Sequence, residues 1–209
     1  MSVQAATAPV AVHRALPAEE AARAHFYALL ARLVVAPPDG ALLHAIAQAE
    51  PLAGPGELAS AWQALVDASS VMDADAAAEE HEALFATLGK ADVPLYAGYY
   101  SGATAVDHPR VRIRADLVAL GLAPRPDSTE PEDHLGGLFE AMRVLIAGGA
   151  GRSGATLEEQ RRFFAAHVEP AAPAFFAALA AAENANYYRR IAAFGAAFVA
   201  LESRSFALD

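Results

Sequence analysis

Apolar residues in this chain recur three and four positions apart, in blocks that Pro and Gly interrupt roughly every 10 to 20 residues. That spacing puts side chains on one face of an α-helix, and a chain made of such blocks folds by packing helix on helix. Phe26, Leu29, Leu30 and Leu33 mark the first block, over residues 18–35, and Pro37-Pro38 stops it. Asp39 is placed to cap a second helix over about 40–50, with Leu42, Leu43 and Ile46 inward. A break at PLAGPGE precedes a short helix around Trp62, Leu65 and Val66. Asp73 or Asp75 then caps a helix running through Leu84, Phe85 and Leu88.

From Lys90 to Val106 the period weakens, and one Pro, two Gly and three Tyr predict an ordered but irregular segment. Asp107 and Pro109 suit the start of a helix carrying Val111, Leu117, Val118 and Leu120, with Gly121 as its stop. Thr129 to Glu132 has the spacing of a capping box, which predicts a helix from there through Leu135, Leu138, Phe139, Met142 and Ile146. GGAGRSG at 148–154 reads as a flexible joint, and Thr156 with Glu159 as a second capping box. Phe163, Phe164 and Val168 follow, then Pro170 interrupts. Two last helices, about 172–182 and 184–202, bury Phe175, Phe176, Leu179, Ile191, Phe194, Phe198 and Leu201.

Strand-like alternation is scarce, and Ala, the strongest helix former, fills 55 of the 209 positions. The expectation is an all-α, compact bundle of about eight or nine helices. It forms one domain over 18–209, with a flexible arm at 1–17 and a candidate hinge at 148–155.

Charge narrows the function. Lys+Arg 15 against Asp+Glu 25 gives a net charge of −10, which argues against a general nucleic-acid binder and favours a basic partner. The absence of Cys removes thiolate metal sites, iron–sulfur ligation and Cys nucleophiles. The first residues lack the basic region of a secretory signal. The apolar run Ala171–Ala182 is too short to span a bilayer, so the expected location is the cytoplasm, without stable membrane insertion.

Catalytic signatures are fragmentary. HEALF, His81–Phe85, begins like a zinc-protease helix, but Phe85 stands where the second His belongs. GGAGRSG has glycines without the order of a phosphate loop. A metal-dependent helical hydrolase using His81, His134 and nearby carboxylates stays open as an alternative, as does a non-catalytic assembly protein. His25, His44 and His167 read as structural.

EPEDHLGGLFEAM, Glu130–Met142, is the most informative segment. On a helix, Leu135, Phe139, Met142 and Ile146 form a core stripe. Glu130, His134, Gly137 and Ala141 form a neighbouring one, with Glu130 and His134 a turn apart. Gly136 and Gly137 cost helix propensity and point to close approach by a helix or a ligand. Either a docking strip or a tight helix contact satisfies this pattern. Pro94, Tyr96, Tyr99 and Tyr100 line either a recognition groove or a core edge.

These blocks resemble the TorD/DmsD/NarJ-type redox-enzyme maturation chaperones. EPEDHLGGLFEAM looks like that family's Glu-Pro-x-Asp-His signature, and PLYAGYY, Pro94–Tyr100, like its proline-aromatic segment. The run from Phe163 to Phe194 is similar to its C-terminal block, with Ala171 where Trp usually follows the Pro. The resemblance implies an all-helical cytoplasmic chaperone, not an enzyme, with no cofactor or metal of its own, as a monomer or homodimer. It implies recognition of the twin-arginine signal peptide, and often the body, of a molybdopterin oxidoreductase catalytic subunit. Asp133 and His134 match the family's peptide-recognition pair. Glu130, Tyr96, Pro94, Tyr99 and Gly137 are the further positions carried over.

Overall fold

The structure, a computed structural model, describes residues 16–85, 91–102, 109–123, 130–149 and 152–208. Within these the chain forms α1 (Ala18–Val35), α2 (Gly40–Ala47), α3 (Glu57–Val71), α4 (Ala74–Phe85) and α5 (Ala97–Tyr100). It continues through α6 (Pro109–Ala119), α7 (Leu135–Ala147), α8 (Leu157–Phe163), a π-turn (Phe164–Val168), α9 (Ala172–Ala181) and α10 (Tyr187–Leu208). The described residues hold no strand, only isolated bridges at Tyr96–His134 and Gly149–Arg152. The all-α bundle expected from the periodicity is therefore observed.

α1 and α7 form the most extensive helix pair, and α10 packs against both α9 and α3. Leu30, Leu33, Leu135, Phe139, Met142 and Leu145 have almost no exposed surface. The Phe139 and Phe176 rings stack at 5.9 Å, and Phe26 meets Trp62, Phe194 and Phe198 between α1, α3 and α10. Gly195 leaves room for the Phe176 ring, which any side chain there would overlap.

Polar pins set the helices' relative positions. Glu80 of α4 accepts from the N–H groups of Asn186, Tyr187 and Tyr188, so a side chain from another helix caps α10. Arg23 of α1 grips buried Glu202 of α10 with two hydrogen bonds of 2.8 Å, and Tyr27 donates to the same carboxylate. α10 is long and apolar enough to cross a membrane by length and composition, but Glu202 lies within it and ten of its residues, Glu202 among them, are buried against the bundle.

Several expectations need correction. α7 starts at Leu135, five residues after Glu130, because the preceding backbone is engaged elsewhere. His134 N–H closes a turn onto Pro131 O, Ala97 N–H donates to Asp133 O, and Leu135 N–H donates to Leu95 O. The cap is His134 itself; Thr129 lies outside the described residues. Glu130 and His134 are thus not one helical turn apart.

On α6, Val111 and Val118 are exposed and Ile113 alone is buried, since α6 lies at the periphery. Leu201 is also exposed, and α10 runs on to Leu208. Gly148 has φ +76, and Gly154 abuts the end of α7, so both ends of the glycine joint are sterically fixed. Its residues 150–151, together with Leu88, 103–108 and 124–129, lie outside the described residues, as does the arm up to residue 15.

Candidate functional site

The segment Pro131–His134 is held as an extended connector, and this decides where the motif's side chains go. His134 adopts φ −65°, ψ 125° and caps α7, its Nδ1 accepting from Gly136 N–H at 3.1 Å. An imidazole that accepts at Nδ1 is neutral. Burial lowers the His134 pKa, against the raising effect of the Glu130 and Asp133 charges. The Tyr96 ring meets the imidazole edge-on at 5.7 Å.

Asp133 is 1% exposed. Its Oδ1 accepts from Arg110 Nε of α6 at 2.8 Å, and its backbone carbonyl anchors α5. A Cβ on Gly98 would sit 3.2 Å from Asp133 Oδ2, so the Tyr-rich segment packs closely on this carboxylate. Asp133 therefore ties α5, α6 and the start of α7 together, and its side chain does not face solvent.

Beside this knot lies an open trough of about 580 Å³. α7 supplies Gly136, Gly137, Glu140, Ala141 and Val144 to it, and α1 supplies Ala28, Ala31, Arg32 and Val35, each set at helical spacing. Glu130, Pro131, Glu132 and His134 border it, and Leu117, Leu122 and Ala123, from the end of α6 and just beyond, add apolar wall. The lining is mostly apolar with three carboxylates among it. Small residues make the space: nothing stands within 4 Å of where a Gly137 Cβ would be. At Gly136 the reverse holds, since a Cβ there would come within 2.6 Å of Val35 Cγ2.

The carboxylates differ in their partners. Glu132 is paired with Arg114, whose Nε donates at 2.6 Å. Its own backbone N–H and Arg114 hold Glu132 below the usual carboxylate range. Glu140 is held by Arg143 through two bonds of 2.8 Å. Glu130 is exposed and has no hydrogen bond or ion pair among the described residues.

Of the positions singled out from sequence, Glu130, His134 and Gly137 meet in the trough, joined by Ala141. Tyr96 reaches its edge through His134. Asp133 lies behind it. Pro94 and Tyr99 are not part of its lining: the Pro94 carbonyl accepts from Tyr100 Oη, and Tyr99 is exposed with its ring against Tyr100. Glu132, Glu140, Arg32 and Val144 were not anticipated. Glu140 and Val144 lie three positions beyond Gly137 and Ala141, on the same helix face, so the spacing carried their signal.

His167 and His81 have local roles. His167 is buried against Asp116 of α6 at 2.7 Å. His81 packs on Phe85 and Tyr188, and burial lowers its pKa. No group of three or more His, Asp or Glu side chains among the described residues is arranged to hold a metal ion, which leaves the hydrolase alternative without a centre there. A second cavity, of about 490 Å³, lies between α3 and the start of α10, lined by Asp67, Val71, Met72, Tyr187 and Arg190 among others.

No curated protein matches the chain. The profile of the family described as nitrate reductase delta subunit matches residues 53–177, more than half of the chain and including the Tyr-rich segment, α6, the motif and α7. With its helical bundle and its motif, the chain belongs to the nitrate reductase delta subunit family, within the TorD/DmsD/NarJ-type redox-enzyme maturation chaperones.

Proposed function

We propose that this protein is a cytoplasmic chaperone that holds the twin-arginine signal peptide of a molybdopterin oxidoreductase catalytic subunit, and controls its export until the cofactor is in place. A role in molybdoenzyme maturation follows from the family. The peptide reading rests on one observation: the trough beside His134 joins carboxylates to an apolar floor. A twin-arginine leader has the complementary order, two guanidinium groups followed by an apolar run. Carboxylates favour Arg through paired, charge-assisted hydrogen bonds. The apolar run then covers Ala31, Val35, Ala141 and Val144, in the manner of a segment laid in a helical groove. The net charge of −10 steers a basic segment toward the protein.

In this reading Glu130 is the open anchor, Gly137 gives the depth, and Tyr96 and His134 form the end wall. Asp133, Pro94 and Tyr99 act by holding that wall in place. Residues 18–209 work as one domain. No catalytic step is required.

Calorimetric titration with synthetic twin-arginine leaders, and with the full precursor, tests this. Saturable binding that weakens when both arginines become glutamine is expected. No binding to leader or precursor contradicts it. If the precursor binds and matures while a Glu130→Gln, Gly137→Leu double variant is fully active, the assembly reading, with no peptide trough, takes its place.

A further inference from the structure

Two of the trough's three carboxylates already hold arginines of this chain. Glu132 is paired with Arg114 of α6, and Glu140 with Arg143 of α7. Arg114 reaches in from solvent, with its side chain 70% exposed, whereas the Glu132 carboxylate it covers is 14% exposed. Arg143 grips Glu140 with both Nε and a terminal nitrogen, the same fork an incoming arginine would use. Neither arginine fills the core, and neither is tied to a second carboxylate among the described residues.

We propose that Arg114 and Arg143 are resident competitors: they occupy, in the empty protein, two of the three carboxylates open to the client's arginines beside unpaired Glu130, so binding at either is an exchange of one guanidinium for another. This rests on the reading of the trough as a twin-arginine site and adds its regulation. Partial occupancy of the sites lowers apparent affinity by the fraction left competent. The same exchange eases departure, because a leaving client arginine is replaced by a resident one and no carboxylate is left bare. α6 can act this way without leaving the bundle. Its root is held by Arg110 on buried Asp133, while Arg114, one turn further along, needs only a rotamer change.

The test uses the full chain, a synthetic twin-arginine leader peptide, and the variants Arg114→Gln and Arg114→Gln with Arg143→Gln. Exposed ion pairs are worth little, so affinity should rise about two- to fivefold for each arginine removed, with a slower dissociation rate. Arg204→Gln, an exposed position of α10 outside the trough, controls for the change in net charge. In the unaltered protein, the Nε–H resonances of Arg114 and Arg143 should move toward those of free arginine on adding peptide.

If the unaltered protein binds the peptide but the double variant binds no tighter, or Arg204→Gln gains as much, or the Nε–H resonances stay put, the competitor proposal is wrong and the peptide reading stands. If neither the unaltered protein nor the double variant binds, the peptide reading fails and this proposal with it.

Discussion

Arg110 Nε donates to Asp133 Oδ1 at 2.8 Å, and the two partners differ sharply in exposure: the arginine side chain is 44% exposed and the aspartate 2%. The motif's aspartate is thus a structural tie between α6 and the start of α7. Removing each partner should have unequal effects. Arg110→Ala leaves a buried carboxylate unpaired and should cost about 3 kcal/mol. Asp133→Ala frees an arginine that can turn to water and should cost about 1 kcal/mol in lost hydrogen bonds. Urea unfolding of the two variants checks the order.

The adjacent glycines should respond in opposite directions. Gly136→Ala drives a methyl into Val35 at the α1–α7 contact and should destabilise by about 1–3 kcal/mol. Gly137→Ala places its methyl in open space on the same helix and should stabilise by up to about 1 kcal/mol. Gly137→Leu should keep that fold and occlude the trough. Thermal melts read the first two, and peptide titration the third.

Acid should weaken the fold. His81, His134 and His167 are all held below the ordinary imidazole value of 6.5, chiefly by burial. Each binds fewer protons folded than unfolded, so each contribution is fully present above 6.5 and is lost as pH falls below it toward the folded pKa. Stability should therefore drop as the pH is lowered from 7 through 6.5. In His134→Asn the cap acceptor is kept and one titrating group removed, so the drop should be shallower. Melting temperature against pH measures both.

The helices were legible because 3.6-residue periodicity and Pro or Gly breaks act locally. Asp39 accepts from Leu42 N–H, and Thr156 and Glu159 form their capping box. The start of α7 was not legible. Glu130-Pro131-Glu132 has the residues of a first turn, but the bridge between Tyr96 and His134, 38 positions apart, pulls that backbone out of the helix. No local signal encodes such a pairing. Glu130, His134, Gly137 and Ala141 line one trough even so, because the extended connector returns Glu130 and His134 to the side where Gly137 and Ala141 open the helix surface. The partner of buried Asp133 is Arg110, 23 residues away on a separate helix, and so lay beyond any spacing argument.

Glu130 is the most exposed test of the binding account. Glu130→Gln should leave the melting temperature near its original value, since this exposed side chain makes no hydrogen bond or ion pair among the described residues. It should weaken a twin-arginine leader about 10-fold, the value of a charge-assisted contact.

Mapping backbone amide shifts while a twin-arginine peptide is titrated into the protein shows whether the trough between α1 and α7 holds a basic leader. The shifts should concentrate at Glu130, Gly136, Gly137, Glu140 and Ala141 and on the facing residues Ala28 to Val35. Changes confined to the cavity at Asp67, Val71 and Arg190, or none at saturating peptide, would contradict peptide binding in the trough.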